Sequence, residues 1–190
     1  MQKLRVEYWE KIKNIEASNL VFLDETGIML GLARTHARSE VGTRAGGIKP
    51  FYRAPKITLI GAISINKVLA VMTIDDSMDG AAFAVFIDKF LCPQLWSGAV
   101  VVMDNLPAHK LNSIVPMIES VGASVICLSP YSPDFNPIEN CWSKFKAYLR
   151  AVAARCRDIV ETALVDAIDS LTLKDIENWF THCCYCTTQS

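Results

Sequence analysis

Residues 99–128 read AVVVMDNLPAHKLNSIVPMIESVGASVICL, and this stretch decides the fold. Ala99 to Met103 is an unbroken apolar run closed by an acid, Asp104, as expected of a buried strand. A helical pattern follows from His109 to Val121, Gly122 stops it, and Ala123 to Leu128 forms a second buried run. Upstream, Leu20 to Asp24 is another short apolar run ending in acid. Ile57 to Ile65 and Lys67 to Ile74 read as two strands joined by a turn at Asn66. Asp79-Gly80 opens a helix to about Leu91, with Pro93 stopping it. At the start, Leu4, Tyr8, Ile12 and Ile15 share one helical face over residues 3–16, and Ser18-Asn19 ends that element. Downstream of the loop SPYSPDFNP come a long helix and two amphipathic helices, about 158–170 and 173–183. Three strands followed by alternating strands and helices imply an α/β chain, a mixed sheet with helices packed on it.

Composition narrows the function classes. With 190 residues, 51% of them hydrophobic, the chain is too apolar for a disordered tail and long enough for one buried core. The longest apolar stretch, Gly80 to Ile87, falls well short of the roughly 20 residues a bilayer span needs. Lys3, Arg5, Glu7, Glu10 and Lys11 interrupt the first residues, which excludes a signal peptide there. Seven cysteines without an export signal read as reduced thiols, and the expected location is cytoplasmic, beside the nucleoid. His182, Cys183, Cys184 and Cys186 lack a second ligand pair at finger spacing and are not read as a zinc site.

A net charge of −1 conceals a polarised map. Arg34, Arg38, Arg44, Lys49, Arg53 and Lys56 sit in a Gly- and Pro-rich loop with a single acid, Glu40. Lys144, Lys146, Arg150, Arg155 and Arg157 form a second window that contains no acid. The rest of the chain carries 8 basic and 19 acidic residues. Such segregation suits a phosphate backbone, although charge runs also occur on ordinary solvated faces.

Three acids stand out by position. Asp24 and Asp104 each close an apolar strand, where ligands of open α/β sheets bind. Glu139 lies in the first turn of the helix after Asn136-Pro137, where the helix dipole favours an ionised carboxylate. Three hard oxygen donors suit Mg²⁺ or Mn²⁺, and two such ions can clamp a phosphodiester. Each acid also has a structural reading. Asp24 and Asp104 could be turn or cap residues, and Asn136, Pro137 and Glu139 form a near capping box. Asp75, Asp76 and Asp79 read as a turn and a helix cap. At 100° per residue, Lys146, Arg150 and Arg157 fall within about 20° of Glu139, whereas Ile138, Cys141, Trp142, Phe145, Leu149 and Val152 gather on an apolar face. That stripe would lay DNA phosphates across the acids. Trp142 and Trp179 are expected to be core residues.

VFLDETG (21–27), VVMDNLPAHK (101–110) and LSPYSPDFNPIENCWSKFK (128–146) closely resemble the catalytic core of insertion-sequence transposases of the mariner-like DDE superfamily. The 34 residues between Asp104 and Glu139 agree with that family, and NWFTHCCY (178–185) resembles its C-terminal end. The resemblance implies an RNase H-like mixed sheet flanked by helices with a C-terminal helical extension. With the N-terminal helix placed over 1–19 by its spacing, the resemblance, over roughly 20–185, implies a DDE catalytic domain over 20–153 and helices over 154–190 completing it. Asp24, Asp104 and Glu139 would be the catalytic, metal-binding triad, holding two Mg²⁺ or Mn²⁺ ions. Asn105 and His109 would be auxiliary, orienting substrate or water. The implied activity is hydrolysis of a phosphodiester at each transposon end, followed by attack of the freed 3′-hydroxyl on target DNA. Double-stranded DNA is the implied partner, within a homodimer and away from any membrane. Members usually carry an N-terminal helix-turn-helix region, yet only about 20 residues precede Asp24 here. Either a separately encoded helix-turn-helix partner supplies end recognition, or the chain is a remnant. The alternative functions are an inactive DNA-binding or oligomerising fragment that regulates a full-length transposase, and a nuclease acting on RNA–DNA hybrids.

Overall fold

The computed structural model describes residues 2–32, 38–46, 55–75, 77–104 and 114–185. Five strands form one sheet: β1 (Leu20–Met29), β2 (Lys56–Ser64), β3 (Val68–Asp75), β4 (Val100–Met103) and β5 (Ser124–Cys127), ordered β3-β2-β1-β4-β5. The β1–β2 and β2–β3 pairs are antiparallel, and β1–β4 and β4–β5 are parallel, so the sheet is mixed, as expected from the element order.

Alternation of side chains across β1 divides the core between two helical layers. Phe22 and Ile28 pack with Tyr8 and Ile12 of α1 (Gln2–Ile12), and with residues of the three C-terminal helices. Those helices are α4 (Pro137–Val152), α5 (Arg157–Asp169) and α6 (Leu173–His182). Val21 and Leu23 face the other layer, built by α2 (Gly80–Val85), its wide-turned π continuation Phe86–Leu91, and α3 (Ile114–Ser120).

Three expectations are corrected. β1 does not stop at Asp24 but runs five residues further to Met29, pairing there with β2 alone. Only Thr26 and Ile28 of that extension are buried, so the sequence lacks a continuous apolar run to announce it. The helix opening at Gly80 ends at Leu91 as expected, but Pro93 does not stop the chain from making one further turn. It sits in the first turn of a 3₁₀ segment, Cys92–Gln94, where its missing N–H is not needed. Finally, α4 ends at Val152, with Ala153 in the left-handed region (φ 53°), and Arg157 begins α5. Arg157 therefore does not extend the α4 stripe, and Val152 is exposed rather than part of the apolar face.

Elsewhere the Asp79 cap is as read, and α6 carries a cap of its own. Asp79 caps α2 by accepting from the Ala82 N–H at 2.8 Å, and Thr172 with Asp175 forms a capping box on α6. The first helix is firmly docked. Arg5 donates to Ser132 at 3.0 Å and to Asp134 at 2.9 Å, and Phe135 stacks between Tyr8 and Trp9. The loop leading into α4 is thus clamped from the N-terminal side.

Candidate active site

The parallel β1–β4 pairing ends at Leu23 opposite Met103, so Asp24, in the middle of β1, and Asp104, just past the end of β4, are the next residues of two adjacent strands. α4 enters over this edge with Glu139 in its first turn. Asp24, Asp104 and Glu139 line one cavity of about 350 Å³, together with Ser129, Tyr131, Ser132 and Asn136 of the connecting loop. Residues separated by more than a hundred positions in sequence are brought together.

The capping reading of Asn136 fails. The residue occupies the N-cap position, but its side chain makes no cap bond. Its Nδ2 donates instead to Asp24 Oδ2 at 3.3 Å, and the Trp142 indole Nε1 donates to the same oxygen at 3.3 Å. Asp24 is only 7% exposed, so these donors replace lost hydration. Opposite Asp24 on β2 stands Gly61; a Cβ there would meet Trp142 Cη2 at 2.7 Å, so only glycine admits the ring. Trp142 is indeed buried in the core, yet its polar edge serves the acid. The signal was available: a buried indole needs an acceptor, and Trp142 lies one turn from Glu139.

Burial, with the nearby charges of Glu139 and Asp104, pushes the Asp24 carboxyl up to about 7; the Glu25 backbone and Trp142 hydrogen bonds oppose the rise. A buried carboxylate whose proton affinity is raised by two neighbouring acids marks a site lacking positive charge. Its donors are hard oxygens, which fits Mg²⁺ or Mn²⁺ rather than zinc or copper. Among the described residues, no three His, Cys, Asp or Glu side chains, these three acids included, stand close enough together to hold one metal ion between them. An open wall of carboxylates suits a Mg²⁺-type ion, which commonly takes one or two carboxylates and completes its shell with water and phosphate oxygens. Ser129 Oγ is buried at the same wall without a hydrogen-bond partner among the described residues, leaving a further oxygen to satisfy.

The basic residues separate into groups. Lys146 donates to Thr26 Oγ1 at 2.6 Å, which places its ammonium beside the β1 edge two residues beyond Asp24. Arg150, one turn further along α4, is half-buried. Arg38, Arg44 and Lys56 are exposed. Arg157 is already engaged: it pairs with Asp75, and its Nε lies 2.7 Å from Glu161. Lys144 ties α4 to α6 through Asp175 at 2.7 Å. Arg34, Lys49, Arg53, Asn105 and His109 lie outside the described residues, as does Cys186. Among the described residues no helix is long and apolar enough to cross a membrane.

Comparison with known proteins places this geometry. The chain shares its fold with the Mos1 mariner transposase paired-end complex with left transposon end, at TM-score 0.72 and 15% identity over 98% of this chain and 61% of that one. The Mos1 paired-end complex with Mg aligns at TM-score 0.67 and 16% identity, over 98% of this chain and 59% of the other. The isolated Mos1 catalytic domain aligns at TM-score 0.65 and 13% identity, over 95% and 84%. The fold is thus that of an RNase H-like transposase catalytic domain, and the chain spans about three fifths of the length of the longer Mos1 chains. No curated protein matches. A family model described as DDE superfamily endonuclease matches residues 19–161, most of the chain and all three acids. The chain belongs to the DDE superfamily endonucleases.

Proposed function

We propose that this chain is the catalytic half of a DNA transposase. It cuts the phosphodiester at the element's ends with the aid of two Mg²⁺ or Mn²⁺ ions and joins the freed 3′ ends to target DNA. The observation that carries the reading is the convergence of Asp24, Asp104 and Glu139 on one cavity, where the β1–β4 pairing stops and α4 begins. The comparisons support it: the Mos1 structures include complexes with transposon ends and with Mg or Mn.

In this reading Asp24, Asp104 and Glu139 hold the ions. The chemistry Mg²⁺ or Mn²⁺ supplies at such a site is activation of water and stabilisation of the leaving oxygen. Asn136 and Trp142 fix Asp24 Oδ2, leaving Oδ1 free of those two donors and able to serve an ion. The loop over residues 128–136 walls the cavity. Lys146 and Arg150 continue from Glu139 along α4 and would carry the duplex backbone, with Arg38, Arg44 and Lys56 adding sequence-tolerant contacts. Coordinated cutting of two ends calls for a homodimer, with a helix-turn-helix unit reading the end sequences.

The test is nicking of duplex DNA bearing the element's ends, with Mg²⁺ or Mn²⁺ present. Asp104→Asn is expected to abolish nicking while leaving salt-sensitive DNA binding intact. Undiminished nicking by that variant would refute the triad. Binding without any metal-dependent nicking in the parent protein would favour the regulatory-fragment reading.

A further inference from the structure

Tyr131 is the feature of the site that the chemistry above does not use. It lines the cavity of Asp24, Asp104 and Glu139, yet its side chain is 86% exposed. Among the described residues no hydrogen bond or ring contact engages it. Its backbone sits at φ 55°, in the left-handed region that disfavours any residue with a large side chain. Such a conformation costs on the order of 1 kcal/mol or more and persists only where neighbours impose it. The neighbours do so here. Pro130 and Pro133 flank the turn, Arg5 holds Ser132, Phe135 is stacked by α1, and Asn136 is tied to Asp24. Glycine or asparagine would meet the same backbone more cheaply. A tyrosine here contributes no packing to the free protein, so its flat, amphipathic ring is available to a ligand.

We propose that Tyr131 is a stacking platform for a nucleobase of the DNA substrate, next to the phosphodiester presented to the three acids. This rests on the DNA-cleaving reading above. An exposed tyrosine on the lining of the same cavity as the three acids presents an aromatic face to whatever the cavity holds, and every base has a π-face to meet it. The contact is sequence-tolerant, and it favours a base drawn out of the helical stack. Held on Tyr131, that base would fix the register of the backbone across Asp24, Asp104 and Glu139.

The experiment compares the whole protein with Tyr131→Phe and Tyr131→Gly. The probe is a nicked duplex oligonucleotide with 5-iododeoxyuridine flanking the nick, in Ca²⁺ to keep the backbone uncut. The expected results are a photo-cross-link to Tyr131, parental affinity in Tyr131→Phe, and roughly 5- to 100-fold weaker binding in Tyr131→Gly. The Tm of Tyr131→Gly should equal or exceed that of the parent, because the strain is relieved. Parental affinity in Tyr131→Gly, or a lower Tm accompanying the loss, overturns the stacking role while leaving the DNA reading in place. If the parent protein fails to bind the duplex at all, the DNA reading falls and takes this inference with it.

Discussion

Burying Asp24 beneath Trp142 and Asn136 strips the ionised carboxylate of water, and Glu139 and Asp104 add repulsion across the cavity. With the folded carboxyl raised to about 7 from an ordinary 3.8, the folded protein binds the Asp24 proton more tightly than the unfolded chain does. That contribution to stability is fully present below the ordinary carboxylate range and is lost as pH rises through about 7. A shift of this size corresponds to on the order of 4 kcal/mol at most. In EDTA, the Tm of the parent is therefore expected to fall from about pH 5 to about pH 8, and Asp24→Asn should flatten that fall. Added Mg²⁺ should raise the Tm more at the alkaline end, where the carboxylate is already ionised. Thermal scans with and without the metal check both signs; identical pH profiles for parent and Asp24→Asn would contradict the assignment. The three acids were legible in sequence because apolar strand runs end at Asp24 and Asp104, and a proline-led helix begins just before Glu139. The donors to Asp24 were not. Asn136 looked like a helix cap and Trp142 like core filling, since sequence shows which face a residue occupies but not which atom its polar edge meets.

At the scale of the element, α4 is a single rod with several duties, distributed by its 3.6-residue period. Ile138, Cys141, Phe145 and Leu149 bury it against the sheet; Glu139 faces the cavity; Lys146 and Arg150 follow Glu139 at whole turns. The periodicity gave that layout without the fold. It misjudged the far end, because the left-handed Ala153 breaks the helix and no glycine marks the break. It also missed the second half of β1, whose single buried face leaves only Thr26 and Ile28 as clues. The start of α4 offers a test that separates capping from pairing. If Asn136 acted as an ordinary cap, Asn136→Ala would cost about 1 kcal/mol whatever residue stood at position 24. Because its amide serves Asp24, the cost in the parent should largely vanish in an Asp24→Ala background, with a coupling of about 1 kcal/mol from a double-mutant cycle. Trp142→Phe keeps most of the packing and removes only the N–H, so it should couple to Asp24→Ala in the same way. Urea unfolding of the four proteins in each cycle measures both couplings. Additive costs would return Asn136 to a capping role and Trp142 to simple packing.

Across the whole molecule, the decisive quantity is where charge lies rather than its total of −1. Acidic residues dominate outside the two basic windows, so positive charge is concentrated in few segments, one of them the α4 stripe of Lys146 and Arg150. The described residues also show which cations are already spent. Arg157 is held by Asp75 and Glu161 and bridges β3 to α5, and Lys144 is held by Asp175 between α4 and α6. Sequence counting treats these as equal to Arg150, because an ion pair between β3 and α5 cannot be seen along the chain. The distinction has a measurable consequence in salt. Each phosphate neutralised contributes about −0.9 to the slope of log affinity against log salt. Arg38, Arg44, Lys56, Lys146 and Arg150 together should give a slope of about −4 to −5. Arg150→Gln is expected to reduce its magnitude by about 1 and to weaken binding to any duplex sequence equally. Arg157→Gln should leave the slope unchanged and lower the Tm instead, since it unties β3 from α5. Fluorescence anisotropy across a salt series, paired with thermal scans, reads the two effects separately. If Arg157→Gln reduces the slope while Arg150→Gln does not, the duplex runs over the α5 edge of the molecule and not along α4, and the path from Glu139 to Arg150 loses its role.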